Sequence, residues 1–178
     1  MRYEPTGQLP AVTGQLGYIA SGVQRAEVRI FPPASGIPTE RPKSVPHAMP
    51  IHDARPIADS LRLDEQGFEF HARPSEVTDF YDDATVREHY YPEVRNVVRE
   101  LMNAEDVFVF DHNVRSAVRA ARGELGVRVP VDQVHNDYTL ESGPKRKLEI
   151  LAAAGRSDLS DAQVAFVNLW RPILGPVR

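Results

Sequence analysis

Residues 128–139 read Arg-Val-Pro-Val-Asp-Gln-Val-His-Asn-Asp-Tyr-Thr, and this stretch decides how the rest of the chain is interpreted. Its alternation predicts a β-strand, in which side chains at i and i+2 point to the same side. One predicted face runs from apolar to polar through Val129, Val131, Gln133, His135 and Asp137. An imidazole and a carboxylate on one face can converge on a metal ion, so His135 and Asp137 are predicted metal ligands.

The His-x-Asp spacing carries little information alone. Six histidines and twelve aspartates in 178 residues give about 0.4 such pairs by chance. An exposed His and Asp at the end of a strand is therefore an open alternative. Two His and one carboxylate are the usual ligand set of non-haem iron(II) oxygenases, with other positions open for substrate and oxygen. His112 follows a predicted buried strand, where a structural and a functional role are both open.

The composition narrows the classes of function. A chain of 178 residues fits one domain, and its net charge of −4 gives no support for a nucleic-acid or anionic-membrane surface. The absence of cysteine excludes disulfides, thiolate zinc sites and iron–sulfur clusters. No apolar stretch approaches the roughly 20 residues that span a bilayer. We expect a cytoplasmic protein with neither nucleic-acid nor membrane partners.

The chain is predicted to have two parts. Eight of the fifteen prolines fall within residues 1–50, which excludes long helices and central strands there. Residues 1–50 are predicted to be a proline-rich extended arm, or a partly mobile tail, with one short strand at Val28–Phe31. Residues 51–178 are predicted to form the body of the domain.

The body alternates between predicted helices and strands. Pro92 begins a helix with an apolar stripe at Val94, Val97, Val98 and Leu101. A second helix is predicted over residues 144–154, with Ser142 as its cap and Gly155 as its end. Strands are predicted over residues 106–111, 128–139 and 165–170. This combination indicates an α+β or β-sandwich-like domain.

Three blocks of sequence resemble one known family, in order along the chain. They are residues 107–115 (VFVFDHNVR), 130–139 (PVDQVHNDYT) and 167–173 (VNLWRPI), preceded by Phe80-Tyr81-Asp82 and Tyr90–Val94. Together they resemble the non-haem Fe(II)/2-oxoglutarate-dependent oxygenases related to the cephalosporin 7α-methoxylation component, gibberellin desaturase and aspergillic-acid hydroxylase. The resemblance covers about residues 60–178.

The resemblance implies a fold, a chemistry and a set of site residues. The fold is a double-stranded β-helix (jelly-roll or cupin-like) with flanking helices, of which residues 51–178 are the N-terminal part. The chemistry is hydroxylation, desaturation or a related oxidation of a small secondary metabolite, with Fe(II) and 2-oxoglutarate. His135 and Asp137 match the proximal metal ligands. Asn168, Arg171 and Arg115 are candidates for contacts with cosubstrate or substrate; for Arg171 a surface salt bridge is the rival interpretation.

The chain departs from the family pattern after residue 178. Family members continue with a distal His ligand and a basic residue for 2-oxoglutarate, whereas this chain has no histidine after His135. The fold is therefore expected to be incomplete in this chain. The chain would then be a fragment, a member of a homo-oligomer, a subunit completed by a second chain, or an inactive relic. His112 is a conceivable substitute ligand. The alternative function is a non-catalytic binding or assembly protein derived from that fold.

Overall fold

The computed structural model describes residues 9–24, 27, 29, 40 and 42–175. The chain divides into two units, one formed by residues 1–73 and 131–135 and the other by residues 74–130 and 136–178. Helices and strands both occur in the described residues, so the predicted α+β class is confirmed. No helix within the described ranges has the length and apolarity that crossing a membrane requires.

An antiparallel pair of nine-residue strands dominates unit 1. Strand β1 (Ala11–Ile19) pairs with strand β2 (Ser44–His52), with the first residue of each opposite the last residue of the other. Hydrogen bonds from Asp53 N to Pro10 O (2.7 Å) and from Ala20 N to Lys43 O (2.9 Å) extend the ladder at both ends. A 3₁₀ turn, Arg55–Ser60, follows β2.

The N-terminal third contains more sheet than its proline content predicted. We did not predict β1, although its even-numbered residues include Val12, Leu16 and Tyr18 on one face. Most of the strand predicted at Val28–Phe31 lies outside the described residues; Arg29 is described and forms an isolated antiparallel bridge with Glu40. The division into an arm over residues 1–50 and a body stays a prediction.

Unit 2 contains a continuous helical run that begins after residue 82. It comprises α1 (Asp83–Thr85), a π-helical turn (Val86–Tyr90) and α2 (Tyr91–Met102). The side chain of Asp82 caps its start by accepting a hydrogen bond from Ala84 N at 3.2 Å. Asn103 ends α2 in the left-handed conformation, with φ of 48°.

The predicted helices are confirmed, and the apolar stripe of α2 is half-buried at Val94, Val97, Val98 and Leu101. Helix α4 (Ser142–Ala153) covers the second prediction, and Gly155 follows its C-terminus with φ of +68°. The predicted cap was wrong in one respect. Ser142 is the first residue of α4 and Glu141 is its N-cap, while Thr139 Oγ1 accepts a hydrogen bond from Ser142 N at 3.0 Å.

The predicted strands were mostly wrong. Residues 106–111 and 165–170 form no regular strand, and the stretch 128–139 contributes only the end of β4 (Val127–Arg128) and a single bridge at Gln133. Strand β4 pairs in parallel with β3 (Val114–Arg115), next to the short helix α3 (Ala117–Ala121). A strand requires hydrogen bonds to a second backbone, and an alternating pattern does not supply that partner. Strand geometry therefore does not place His135 and Asp137 on one face, as the alternating pattern had predicted.

Few of the apolar side chains in the described part of the chain are buried. Among the described residues the buried hydrophobic side chains are Leu61, Val77, Val86 and Leu151, whereas Leu140 and Trp170 are 97% and 86% exposed. The described strands form two separate two-stranded sheets. The double-stranded β-helix implied by the family resemblance consequently stays a prediction.

Candidate metal centre

Backbone contacts to β1 fix the segment that leads into His135. Gly17 N donates to Asp132 O at 2.9 Å, and Val134 N donates to Gly17 O at 2.8 Å. A Cβ atom at residue 17 would lie 2.5 Å from Ser44 Oγ and 2.8 Å from Asp132 O. Only glycine permits this close approach without a shift of backbone.

The imidazole of His135 has a defined tautomer. Its Nδ1 lies 2.8 Å from the backbone carbonyl of Gln133. A carbonyl oxygen only accepts, so Nδ1 is the donor, and in the neutral imidazole Nε2 then carries the lone pair. This is the arrangement usual for metal-binding histidines, in which one ring nitrogen donates to an oxygen and the other binds the ion. The side chain is exposed.

Asp137 is oriented by the third sequence block. Asn168 Nδ2 donates to Asp137 Oδ2 at 2.8 Å, joining residues 31 positions apart. The ring of Tyr138 packs on the ring of Phe166 with centroids 4.4 Å apart, which holds the same two segments together. Two blocks identified by resemblance are thus in contact. The chain passes from unit 1 to unit 2 between His135 and Asn136, so each predicted ligand is described within its own unit.

Arg171 and Arg115, which were predicted to contact cosubstrate or substrate, form hydrogen bonds within the chain. Arg171 Nε donates to the Tyr90 hydroxyl at 2.9 Å, with the guanidinium 5.4 Å from the centre of that ring. Arg115 donates to Val129 O at 2.8 Å beside the β3–β4 pair. Tyr90 was not predicted as the partner of Arg171, although Tyr90 begins an upstream segment that resembles the family. The roles of Arg115 and Arg171 toward cosubstrate or substrate stay predictions.

His112 is engaged through both ring nitrogens. Nδ1 lies 3.0 Å from the Tyr91 hydroxyl, and Nε2 lies 3.4 Å from Asp83 Oδ1. Arg87 Nε also donates to Asp83 at 2.7 Å, and its hydrogen bond holds the pKa of that carboxyl below its usual value. Partial burial raises the pKa of Tyr91. His112 would have to give up one of these contacts to bind a metal.

The donors fit Fe(II) in kind but not in number. A neutral imidazole and a carboxylate are two members of the set of two histidines and one carboxylate. Within the described ranges, no three His, Asp or Glu side chains gather closely enough to hold a metal ion. A complete iron site therefore requires a further ligand besides this pair.

The comparisons with known proteins agree with the sequence blocks. Residues 16–178 match the family described as "Oxidoreductase/YMDC permease-like domain", and the chain belongs to this family of oxidoreductases. No solved structure matches it significantly.

Three relatives illustrate the family. The chain is 30% identical over 135 residues to an oxidoreductase of Emericella nidulans, covering 72% of this chain and 45% of the relative. It is 28% identical over 134 residues to a hydroxylase/desaturase of Hormonema carpetanum, covering 69% and 45% respectively. It is 29% identical over 140 residues to an Fe(II)/2-oxoglutarate-dependent dioxygenase of Aspergillus novofumigatus, covering 74% and 48%. The predicted kinship with these oxygenases is confirmed, and the chain spans about half the length of the relatives.

Proposed function

We propose that this chain provides the proximal half of the iron site of an Fe(II)/2-oxoglutarate-dependent oxygenase. His135 would bind Fe(II) through Nε2 and Asp137 through its carboxylate. The hydrogen bond from Asn168 to Asp137 carries the proposal, because it joins a predicted ligand to a separate block that resembles the same family. The names of the relatives support the choice of metal and of 2-oxoglutarate as cosubstrate.

The residues of this chain have distinct tasks in the proposed site. The Gln133 carbonyl accepts a hydrogen bond from His135 Nδ1, so Nε2 would be the atom that holds the ion. Asn168 restrains one Asp137 oxygen and so limits the directions in which the carboxylate can bind. Fe(II), when bound, supplies the oxidation chemistry that couples 2-oxoglutarate and oxygen to a small secondary metabolite by hydroxylation, desaturation or a related reaction.

We further propose that the complete site and fold require more polypeptide than the described residues. The third ligand would come from another segment or from a second chain, in a homo-oligomer or a heterocomplex, and would complete the double-stranded β-helix. The many exposed apolar side chains support this proposal, because large exposed apolar patches usually mark interaction surfaces. A cytoplasmic location and a small-molecule substrate, rather than nucleic acid, are part of the same proposal.

Metal-dependent thermal stability tests the site. Under anaerobic conditions Fe(II), or Mn(II) as its substitute, should raise the Tm of the native chain because it binds only the folded state. His135→Ala and Asp137→Ala should abolish this rise. His89→Ala is a matched control, because its side chain is 62% exposed and lies on the helical run. The absence of any shift in the native chain would contradict the proposal.

Succinate formation separates the two candidate functions. An oxygenase converts 2-oxoglutarate to succinate only when Fe(II) and oxygen are present. If the chain binds the metal without forming succinate, the result favours the alternative function, a non-catalytic binding or assembly protein. The incomplete ligand set among the described residues is consistent with that alternative.

A further inference from the structure

An open cavity of about 290 Å³ lies between the start of α4 and the extended segment that follows residue 161. Most of its lining is apolar, with Leu140, Pro144, Val164 and Phe166 among the lining residues. Small-molecule sites combine such walls with a few polar groups that fix the orientation of the ligand. This cavity has the composition of a binding site for a molecule with an apolar body.

Lys147 is the charged residue in the lining of this cavity. Its ammonium group donates to Ser160 O at 2.5 Å and to Ala162 O at 3.2 Å. An ammonium has three N–H donors, so two carbonyls leave one donor and the full positive charge. Among the described residues, no carboxylate forms an ion pair with Lys147. The charge therefore favours an anionic group on a bound molecule.

The helix start beside the cavity does not compete for that anion. Thr139 Oγ1 accepts from Ser142 N at 3.0 Å, and the Thr139 carbonyl accepts from Gly143 N at 3.0 Å. Pro144 has no N–H to offer. The first-turn donors are thus largely satisfied within the chain, and Lys147 is left as the group that an anion meets.

The cavity is lined by residues from the same two segments that carry Asp137 and Asn168. Thr139 in its lining lies two residues after Asp137, and Phe166 lies two residues before Asn168. The hydrogen bond between Asp137 and Asn168 therefore joins the same two segments that form the walls of the cavity. A molecule in the cavity would contact the two segments that carry Asp137 and Asn168.

We propose that this cavity binds a small carboxylic acid with an apolar body, whose carboxylate pairs with Lys147. The identification of this acid as the molecule oxidised at the metal centre rests on the function proposed above. The proposal that the cavity binds the acid does not rest on that function. 2-Oxoglutarate fits the cavity less well. Its second carboxylate would face apolar walls, where an unpaired charge is costly.

Binding of two matched probes tests the cavity. trans-Cinnamate and cinnamamide share the same apolar body, but only cinnamate carries a carboxylate. We would titrate each into the ¹⁵N-labelled native chain, with EDTA present, and follow the amide signals of Gly143, Lys147 and Phe166. Cinnamate should bind at least tenfold more tightly than cinnamamide, and it should shift these signals.

Variants of Lys147 and of the nearby Lys145 test whether the Lys147 charge binds the carboxylate. Lys147→Met should weaken cinnamate binding about tenfold and remove the preference over cinnamamide, whereas Lys147→Arg should keep it. Lys145→Met is the matched control, because Lys145 is exposed and does not line the cavity. Because the comparison of acid and amide uses the native chain, it does not depend on how well Lys147→Met folds.

Several results would overturn the proposal: no binding of cinnamate at millimolar concentration, equal affinity for the two probes, an equal effect of Lys145→Met, or tighter binding of 2-oxoglutarate. The titration contains no metal, so failure of the iron site leaves its outcome unchanged. Conversely, a metal-dependent Tm shift without cinnamate binding would reject the cavity site alone.

Discussion

Asn168 donates a hydrogen bond of 2.8 Å to the carboxylate of Asp137, 31 residues earlier in the chain. The contact makes an amide on the C-terminal segment a positioning group for a predicted metal ligand. Such partners of metal ligands commonly change metal affinity by about 10–100-fold when they are removed.

Asn168→Ala should therefore weaken Mn(II) or Fe(II) binding by about 10–100-fold, because the Asp137 carboxylate loses its oriented donor. Isothermal titration of the metal under anaerobic conditions measures the change. Asn113→Ala, at another exposed asparagine, is the control and should leave the affinity unchanged. Equal affinities of Asn168→Ala and the native chain would show that Asn168 does not position the ligand.

His112→Ala should destabilise the chain without affecting metal binding. It removes the contacts with Tyr91 and Asp83, and we expect a loss of about 1–2 kcal/mol in the free energy of unfolding. Urea unfolding measures this loss, and His89→Ala serves as the exposed control. A fall in metal affinity as large as that of His135→Ala would instead identify His112 as the substitute ligand.

Gly17→Ala should destabilise unit 1 by about 1–3 kcal/mol, because the new methyl group would lie 2.8 Å from the backbone oxygen of Asp132. Gly14→Ala, in the same strand, is a matched control. Its methyl group would meet only the side chain of Ile51, which can move aside. Thermal unfolding and the hydrogen exchange of the Val134 amide measure the effect. Similar losses in both variants would contradict the close backbone approach at Gly17.

Asp158 should contribute to stability at neutral pH but not in acid. Its hydrogen bonds from Arg156 hold the pKa of its carboxyl below the usual value of 3.8. A carboxyl whose pKa is lower in the folded state stabilises above the unfolded pKa, and this contribution disappears as the pH falls through the folded pKa.

Asp158→Asn should accordingly have a lower Tm than the native chain at pH 7, and the difference should shrink below about pH 4. Asp161→Asn, on the next turn, is the control for loss of a negative charge alone. A difference in Tm that stays constant across the titration would show that the ion pair with Arg156 does not stabilise the fold.

The helices could be predicted because their signals are local. Pro92, the stripe of Val94, Val97, Val98 and Leu101, and the closing Gly155 each act within a few residues. The strands depend instead on a partner elsewhere. The stretch 165–170 has the composition of a strand, yet no neighbouring backbone pairs with it in the described structure. Strand β1 went unnoticed because its partner β2 lies in a proline-rich segment.

The sequence provides candidate site residues, which stay predictions, but not their contacts. Resemblance identified His135, Asp137 and Asn168, but no spacing indicated that Asn168 donates to Asp137. Lys147 was not predicted as a site residue. Gly143 and Leu151 lie four residues to either side of Lys147 and are both buried. The helical spacing therefore indicates that Lys147 lies on the inward face of α4.

The two prolines of β2 protect the sheet against growth. Gly17 directs its N–H and C=O away from β2, toward Asp132 and Val134, so Gly17 and Pro46 form a non-hydrogen-bonded pair. The N–H groups of every second residue of β2 therefore point to its outer edge, and Pro46 and Pro50 supply none. That interrupted row of donors makes the edge a poor template for another chain, which guards against fibril-like association.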